Sequence, residues 1–241
     1  MGEETVPGAS RRDELRSRLA SVHDRISAAC AAVGRDAGEV TLVAITKTFP
    51  ASDVRLLYGL GVRDVGENRD QEAAPKAAEC ADLAPGLTWH FVGQLQTNKC
   101  ASVVRYATFV HSVDRLRLIR ALGAAARRAE REIRCLIEVS LDGDPARGGA
   151  PAGEVAGLAE ALMAESGLVL DGVMAIAPLS WAPAAAFGRL LDSAAVVRAV
   201  RSAATVISAG MSGDLEAAVA AGATHLRIGT ALLGDRKARV R

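Results

Sequence analysis

Residues 40–50 read VTLVAITKTFP, a core-like run of apolar and β-branched residues that ends on Lys47. Lysine is seldom buried, and the plain alternative is that the strand stops there and the ammonium reaches water. Period-two alternation nevertheless places Lys47 on the side of Val43 and Ile45, opposite Leu42 and Ala44. In a partly dry site a lysine has a lowered pKa and can attack a carbonyl to form a Schiff base. A second kind of chemistry is offered by GMSGDLEAAVAAG (210–222), where Gly210 and Gly213 flank Ser212 just before a helical pattern. Exposed backbone N–H groups, the helix dipole and a hydroxyl together make an anion site. A third stretch, RIGTALLG (227–234), adds close backbone approach at Gly229 and the hydroxyl of Thr230. Taken singly, Ser212 also reads as an ordinary helix N-cap and Gly229-Thr230 as a strand exit. Arg227 shares a face with His225 and Gly229, and it either enters a site or pairs with a strand acid such as Glu138.

The elements that must position these groups alternate in type. An amphipathic helix is expected over 13–33, with Leu15, Leu19, Val22, Ile26, Ala29 and Val33 in its stripe and Gly34 at its C-terminal end. Short apolar runs follow at 40–46, 62–66, 88–93, 107–113, 134–140, 170–176, 205–210 and 224–229, separated by helical patterns. Eight strands joined by helices call for a parallel sheet and close a (β/α)₈ TIM-type barrel with an extra N-terminal helix. A doubly wound open sheet is the alternative, but no GxGxxG follows the first strand. No linker or repeat divides the chain, so 1–12 is expected to be a flexible N-terminus and 13–236 one α/β barrel domain. Such barrels carry their sites at the C-terminal strand ends and hold phosphate on the loops after strands seven and eight. Lys47 and both loops then share one mouth, which suits a phosphorylated carbonyl: pyridoxal 5'-phosphate (PLP), or a phosphosugar on a Schiff-base aldolase.

Composition removes other classes. Half of the 241 residues are apolar and the formal net charge is +1, so a sizeable core is available and no basic footprint for nucleic acid is expected. The four cysteines (Cys30, Cys80, Cys100, Cys135) are too widely spaced for a zinc site or a disulfide framework. The N-terminus lacks a signal-peptide core and no run reaches eighteen apolar residues, so a cytoplasmic protein with no membrane partner is expected.

Six stretches carry a resemblance to a known family: AITKTFP, GENRDQEAAPK, WHFVGQLQTNK, HSVDR, GVMAIAP and AGMSGDLEAAVAAGATHLRIGTALLG. In this order they resemble the signature segments of the pyridoxal phosphate homeostasis proteins, whose fold is like the N-terminal barrel of alanine racemase. The resemblance spans about residues 40–234. It implies that Lys47 carries PLP as a Schiff base, that Ser212, Gly229 and Thr230 hold the phosphate, and that Arg227 faces the pyridine nitrogen. Asn68 and Ser208 would line the cofactor, although Asn68 in GENRD also suits a turn or helix cap. His90 is expected to be a satisfied barrel histidine. A monomer, or a weak dimer, that hands PLP to apo PLP-dependent enzymes is the expected assembly.

Four positions depart from the family pattern: Phe49 after the lysine, Ala209 before the phosphate loop, Ala177 in IAP, and Arg147 where a lysine is frequent. The first three are expected to reshape the pocket wall. By resemblance, the two-domain racemases draw an acid–base tyrosine from a second domain. Here the only tyrosines are Tyr58 and Tyr106, neither at an expected strand end. With an arginine at the ring nitrogen, PLP is a weak electron sink. A PLP carrier without turnover is therefore expected, with a low-activity amino-acid racemase of the same fold type or a PLP-free Schiff-base aldolase as alternatives.

Overall fold

A computed structural model of the chain describes residues 10–144 and 147–235. Eight parallel strands close a barrel in sequence order: β1 (Thr41–Ile45), β2 (Asp64–Glu67), β3 (Thr88–Phe91), β4 (Phe109–Val113), β5 (Ile133–Glu138), β6 (Leu168–Met174), β7 (Val206–Ser208) and β8 (His225–Ile228). All eight apolar runs expected to be strands are strands, and β8 pairs with β1 rather than leaving the edges of an open sheet. The crossover helices are α2 (Ala51–Gly59), α3 (Asp70–Glu79), α4 (Cys100–Tyr106), α5 (Leu116–Arg128), α6 (Val155–Ala164), α7 (Pro183–Val200) and α8 (Leu215–Ala220), while a short α9 (Thr230–Leu233) follows β8.

The extra front helix, α1 (Arg11–Ala32), begins two residues before the expected Asp13 because Ser10 caps it, its Oγ accepting from the Asp13 N–H. Of the segment expected to be flexible, 1–9 lie outside the described residues, as does 236 at the far boundary. Leu15, Leu19, Val22, Ile26, Ala29 and Cys30 are buried, and Val33, expected in the stripe, is exposed. The helix packs on α8 and α9. Arg11 pins it to the barrel, donating to the Asp53 carboxylate and to the Leu233 carbonyl.

The core divides in two. The strands' outward side chains meet the helices in one large apolar layer that includes Ala44, Val65, Val110, Ile137, Val173 and Leu226. Inside the barrel a small buried apolar cluster groups Leu136, Met174 and Val206. Polar side chains make up much of the remaining interior, with His90, His111, Ser208, Glu138 and Arg227 all buried. Among the described residues no helix is long and apolar enough to cross a membrane. The four cysteines are buried and unpaired, and burial pushes the Cys100 thiol up to about 11.

Candidate functional site

A cavity of about 550 Å³ opens at the C-terminal ends of the strands, within the size range of ligand pockets. It brings together Lys47, Asn68, Ser212, Arg227, Gly229 and Thr230 from β1, β2, the loop after β7, and β8 with its exit. Two hollows elsewhere are larger, at about 650 and 660 Å³. Neither contains Lys47, Arg227 or either glycine-bearing loop, so volume is a poorer guide here than chemistry.

Each member is aimed by its neighbours. Lys47 follows β1 in a turn whose next residue, Thr48, has φ 70°, a strained value for a β-branched side chain. Two contacts hold that turn: Lys76 Nζ donates to the Thr46 carbonyl at 2.8 Å, and Thr46 Oγ1 donates to Glu67 at 2.7 Å. The Glu67–Lys76 pair is itself buried, with Nζ 2.5 Å from Oε1. Asn68 does not cap α3; the cap position belongs to Arg69. A side chain at Gly93 would strike the Asn68 carbonyl at 2.1 Å, so only glycine lets the β3 exit pass this close.

The two anion loops are tied to each other. Ser212 is not the N-cap of α8, which is Asp214; instead Ser212 Oγ accepts from the Ala231 N–H at 3.1 Å, joining the β7 loop to α9. Asp214 accepts from the Met211 N–H at 2.6 Å, and Gly210 turns the chain at φ 90° where a Cβ would meet Ala218. Gly229 and Thr230 line the same cavity as Ser212.

Arg227 is buried, and no ion pair with Glu138 forms among the described residues. Its Nη1 donates to the Ser208 carbonyl at 2.8 Å and to Ser208 Oγ at 2.7 Å, and Nη2 donates to the Ala175 carbonyl at 2.9 Å. Burial lowers its pKa to about 10, which leaves it charged at neutral pH. Ser208 does not line the cavity; it lies under Arg227, fully buried.

The sequence reading missed Glu138 as a site residue. It closes β5, lines the cavity and is 6% exposed, and its Oε2 has no hydrogen-bond partner among the described residues. Burial, aided by the nearby Asp114, raises its pKa to about 7 against the pull of Arg227. The rule that singled out Lys47, a charged residue ending an apolar strand, would have found it.

Of the departures, Arg147 lines the cavity and Ala177 does not; Arg147 donates to the carbonyls of Ile176 and Ala177 while pairing with Asp142. Phe49 and Ala209 do not reshape its wall. Phe49 sits under the Arg11 guanidinium, 5.6 Å from ring to charge, and Ala209 is buried outside the lining. Tyr58 and Tyr106 are remote from the cavity, the first under Arg63 and the second against Trp89.

The arrangement fits a phosphorylated aromatic aldehyde. Two hydroxyls from neighbouring loops, an amine, a guanidinium and a carboxyl with one unpartnered oxygen line a single cavity. Comparisons agree with that chemistry. The family described as alanine racemase, N-terminal domain, matches residues 12–237. The pyridoxal phosphate homeostasis protein of Mycobacterium tuberculosis is 46% identical, over 95% of this chain and 95% of its own length. That of Escherichia coli is 35% identical, over 93% and 97%. Among solved structures, PipY of Synechococcus elongatus with PLP bound is 34% identical with a TM-score of 0.80, covering 91% of this chain and 100% of that one. The alanine racemase of Corynebacterium glutamicum, 14% identical with a TM-score of 0.69 over 92% of this chain and 60% of that one, shares the fold alone.

Proposed function

The chain belongs to the pyridoxal phosphate homeostasis protein family, and on that premise we propose that it binds PLP at the barrel mouth, holds it as a Schiff base on Lys47, and passes it on. When bound, PLP supplies an aldehyde that condenses with amines and a ring that withdraws electrons according to the charge at its nitrogen. The observation that carries the reading is the convergence of Lys47, Arg227, Ser212 and Thr230 on one cavity. Ser212, Gly229 and Thr230 hold the phosphate. Asn68 borders the ring, and Ser208 acts from below through Arg227 rather than on the cofactor directly. A guanidinium can only donate, so a ring nitrogen facing Arg227 stays unprotonated to accept from it, which keeps the ring neutral and the site poor at bond breaking.

The protein thus acts in the cytoplasm as a monomeric carrier without turnover, its acceptors being apo PLP-dependent enzymes. A second reading, slow amino-acid racemisation, is favoured by Glu138, whose carboxyl titrates near neutrality within the cavity. Racemisation needs proton-transfer groups on both faces of the reacting carbon. Purified protein should show a visible absorption band that disappears in Lys47→Ala; a protein that never takes PLP would instead fit a Schiff-base aldolase. PLP should pass to an added apo-enzyme, and chiral chromatography should find no interconversion of added amino acids. Rapid racemisation would establish the second reading.

A further inference from the structure

Below the cavity, a chain of polar side chains runs through the barrel to its opposite end. Arg227 Nη1 lies 2.7 Å from Ser208 Oγ, which lies 2.9 Å from His111 Nδ1. His111 Nε2 is 2.9 Å from His90 Nδ1, and His90 Nε2 is 2.9 Å from Asp64 Oδ1 at the start of β2. Ser208, His111 and His90 are fully buried, whereas the Asp64 side chain is 23% exposed. The five residues come from β2, β3, β4, β7 and β8.

The chemistry of the two ends fixes the direction of every link. An ionised carboxylate only accepts, so His90 Nε2 carries the hydrogen that Asp64 receives. Burial keeps both rings neutral, holding His90 below its usual pKa and His111 well below. Neutral His90 therefore accepts at Nδ1 from His111 Nε2–H, and His111 Nδ1 accepts from the Ser208 hydroxyl. The Ser208 oxygen is left to accept from Arg227, which can only donate. Reversing the order is impossible at either end. Such aligned chains polarise cooperatively in a low-dielectric interior.

Among the described residues Arg227 is otherwise hydrogen-bonded only to the carbonyls of Ser208 and Ala175. A buried guanidinium with no bonded carboxylate is costly unless compensated. We propose that Asp64, His90, His111 and Ser208 are positioning residues for the site, a relay through which the distant Asp64 carboxylate, hydrogen-bonded link by link, adds to the counter-charge of Arg227 and fixes its guanidinium. Of the other charged or ring groups near the relay, Arg134 stacks on Phe109 and pairs with Asp171, and His225 bonds to Thr224, while Glu138 and Asp214 act on Arg227 across space without bonding to it. The consequence for PLP rests on the reading of the cavity given above; the relay itself does not.

Two arms keep these apart. In ligand-free protein, long-range ¹H–¹⁵N spectra should show His90 and His111 as neutral Nε2–H tautomers. Asp64→Asn should speed exchange of the Arg227 side-chain N–H groups on the order of fivefold, the scale of one weakened charge-assisted bond, and Asp64→Glu should restore it. Ser208→Ala, cutting the chain beside the guanidinium, should act more strongly. An Nδ1–H tautomer at either ring, or unchanged Arg227 exchange in both Asp64→Asn and Ser208→Ala, overturns the relay. With PLP added, Asp64→Asn should shift the absorption band and Asp64→Glu should return it, while a single cooperative urea transition of Asp64→Asn shows that the variant is folded. A band that forms but does not move in Asp64→Asn overturns the link to the cofactor. Absence of any band in the parent protein would refute the PLP reading, and the ligand-free spectra would still decide the relay.

Discussion

The two ends of the barrel treat their polar side chains differently. Toward the N-terminal end they are matched. Asp171 accepts from both Arg134 and Arg201, Arg134 also lies 4.4 Å over the Phe109 ring, and Asp64 accepts from His90. Toward the mouth the matching is incomplete: beside the bonded Glu67–Lys76 pair and Arg227, the atoms Glu67 Oε2, Ser112 Oγ and Glu138 Oε2 have no hydrogen-bond partner among the described residues. All three sit at or near the C-terminal ends of β2, β4 and β5. Buried polar atoms in native proteins are overwhelmingly satisfied, so a cluster of exceptions at one end marks where stability has been given up. Barrels separate these tasks by end, and this chain follows the rule.

If the mouth serves binding and the opposite end serves stability, substitutions at the two ends should fail in different assays. The largest effect is expected for Lys47→Ala, which should abolish covalent capture of PLP while weak binding through the phosphate loops survives. Borohydride reduction followed by mass mapping checks this, and a PLP adduct on another lysine would break the assignment.

Glu138→Gln comes next and concerns stability at the functional end. Well below its ordinary pKa of 4.5, the carboxyl is protonated in both folded and unfolded chains and has no effect. Between 4.5 and about 7 the unfolded chain ionises while the folded one resists, so stability falls as pH rises. Above that window the penalty is complete, on the order of 3 kcal/mol for a shift of this size. Glu138→Gln should therefore be more stable than the parent at pH 8 and equal to it near pH 4, as read by urea unfolding. A variant that is less stable at pH 8 would mean the carboxylate is compensated after all.

Ser212→Ala and Thr230→Val should each weaken PLP retention by about 2 kcal/mol, the worth of a hydrogen bond to a charged group, with little change in melting temperature. Equilibrium dialysis against PLP measures the first, and undiminished affinity in the double variant would move the phosphate site elsewhere. The smallest effect is expected at the opposite end. Asp171→Asn keeps an acceptor for Arg134 and Arg201 but removes the charge, costing about 1 kcal/mol of stability and leaving PLP affinity unchanged. A loss of affinity there would blur the division between the ends.

Much of this was legible before any coordinates. Eight apolar runs with helical patterns between them specify strand–helix units because periodicity is a local property of the chain. Parity along a strand then placed Lys47 on the cavity side, and glycine spacing with adjacent hydroxyls marked the two loops. What the chain alone left open were matters of partnership. Ser208 was expected beside the cofactor and lies beneath Arg227 instead; the Arg227–Glu138 pair was an open alternative and does not form. Glu138 looked like a strand residue and became the unpartnered acid of the site. Phe49, one turn past the lysine, left the cavity wall for a place under Arg11 on the added helix.

By itself, then, the sequence determined the elements, their order and which side chains face inward, since each follows from short-range patterning. Only the tertiary structure decided which inward groups meet. The relay from Asp64 to Arg227 joins side chains from residues 64, 90, 111, 208 and 227, and none of its links is close in sequence. Closure and strand register set those distances, and a shift of one residue in any strand would turn its side chain from the barrel interior to the helices.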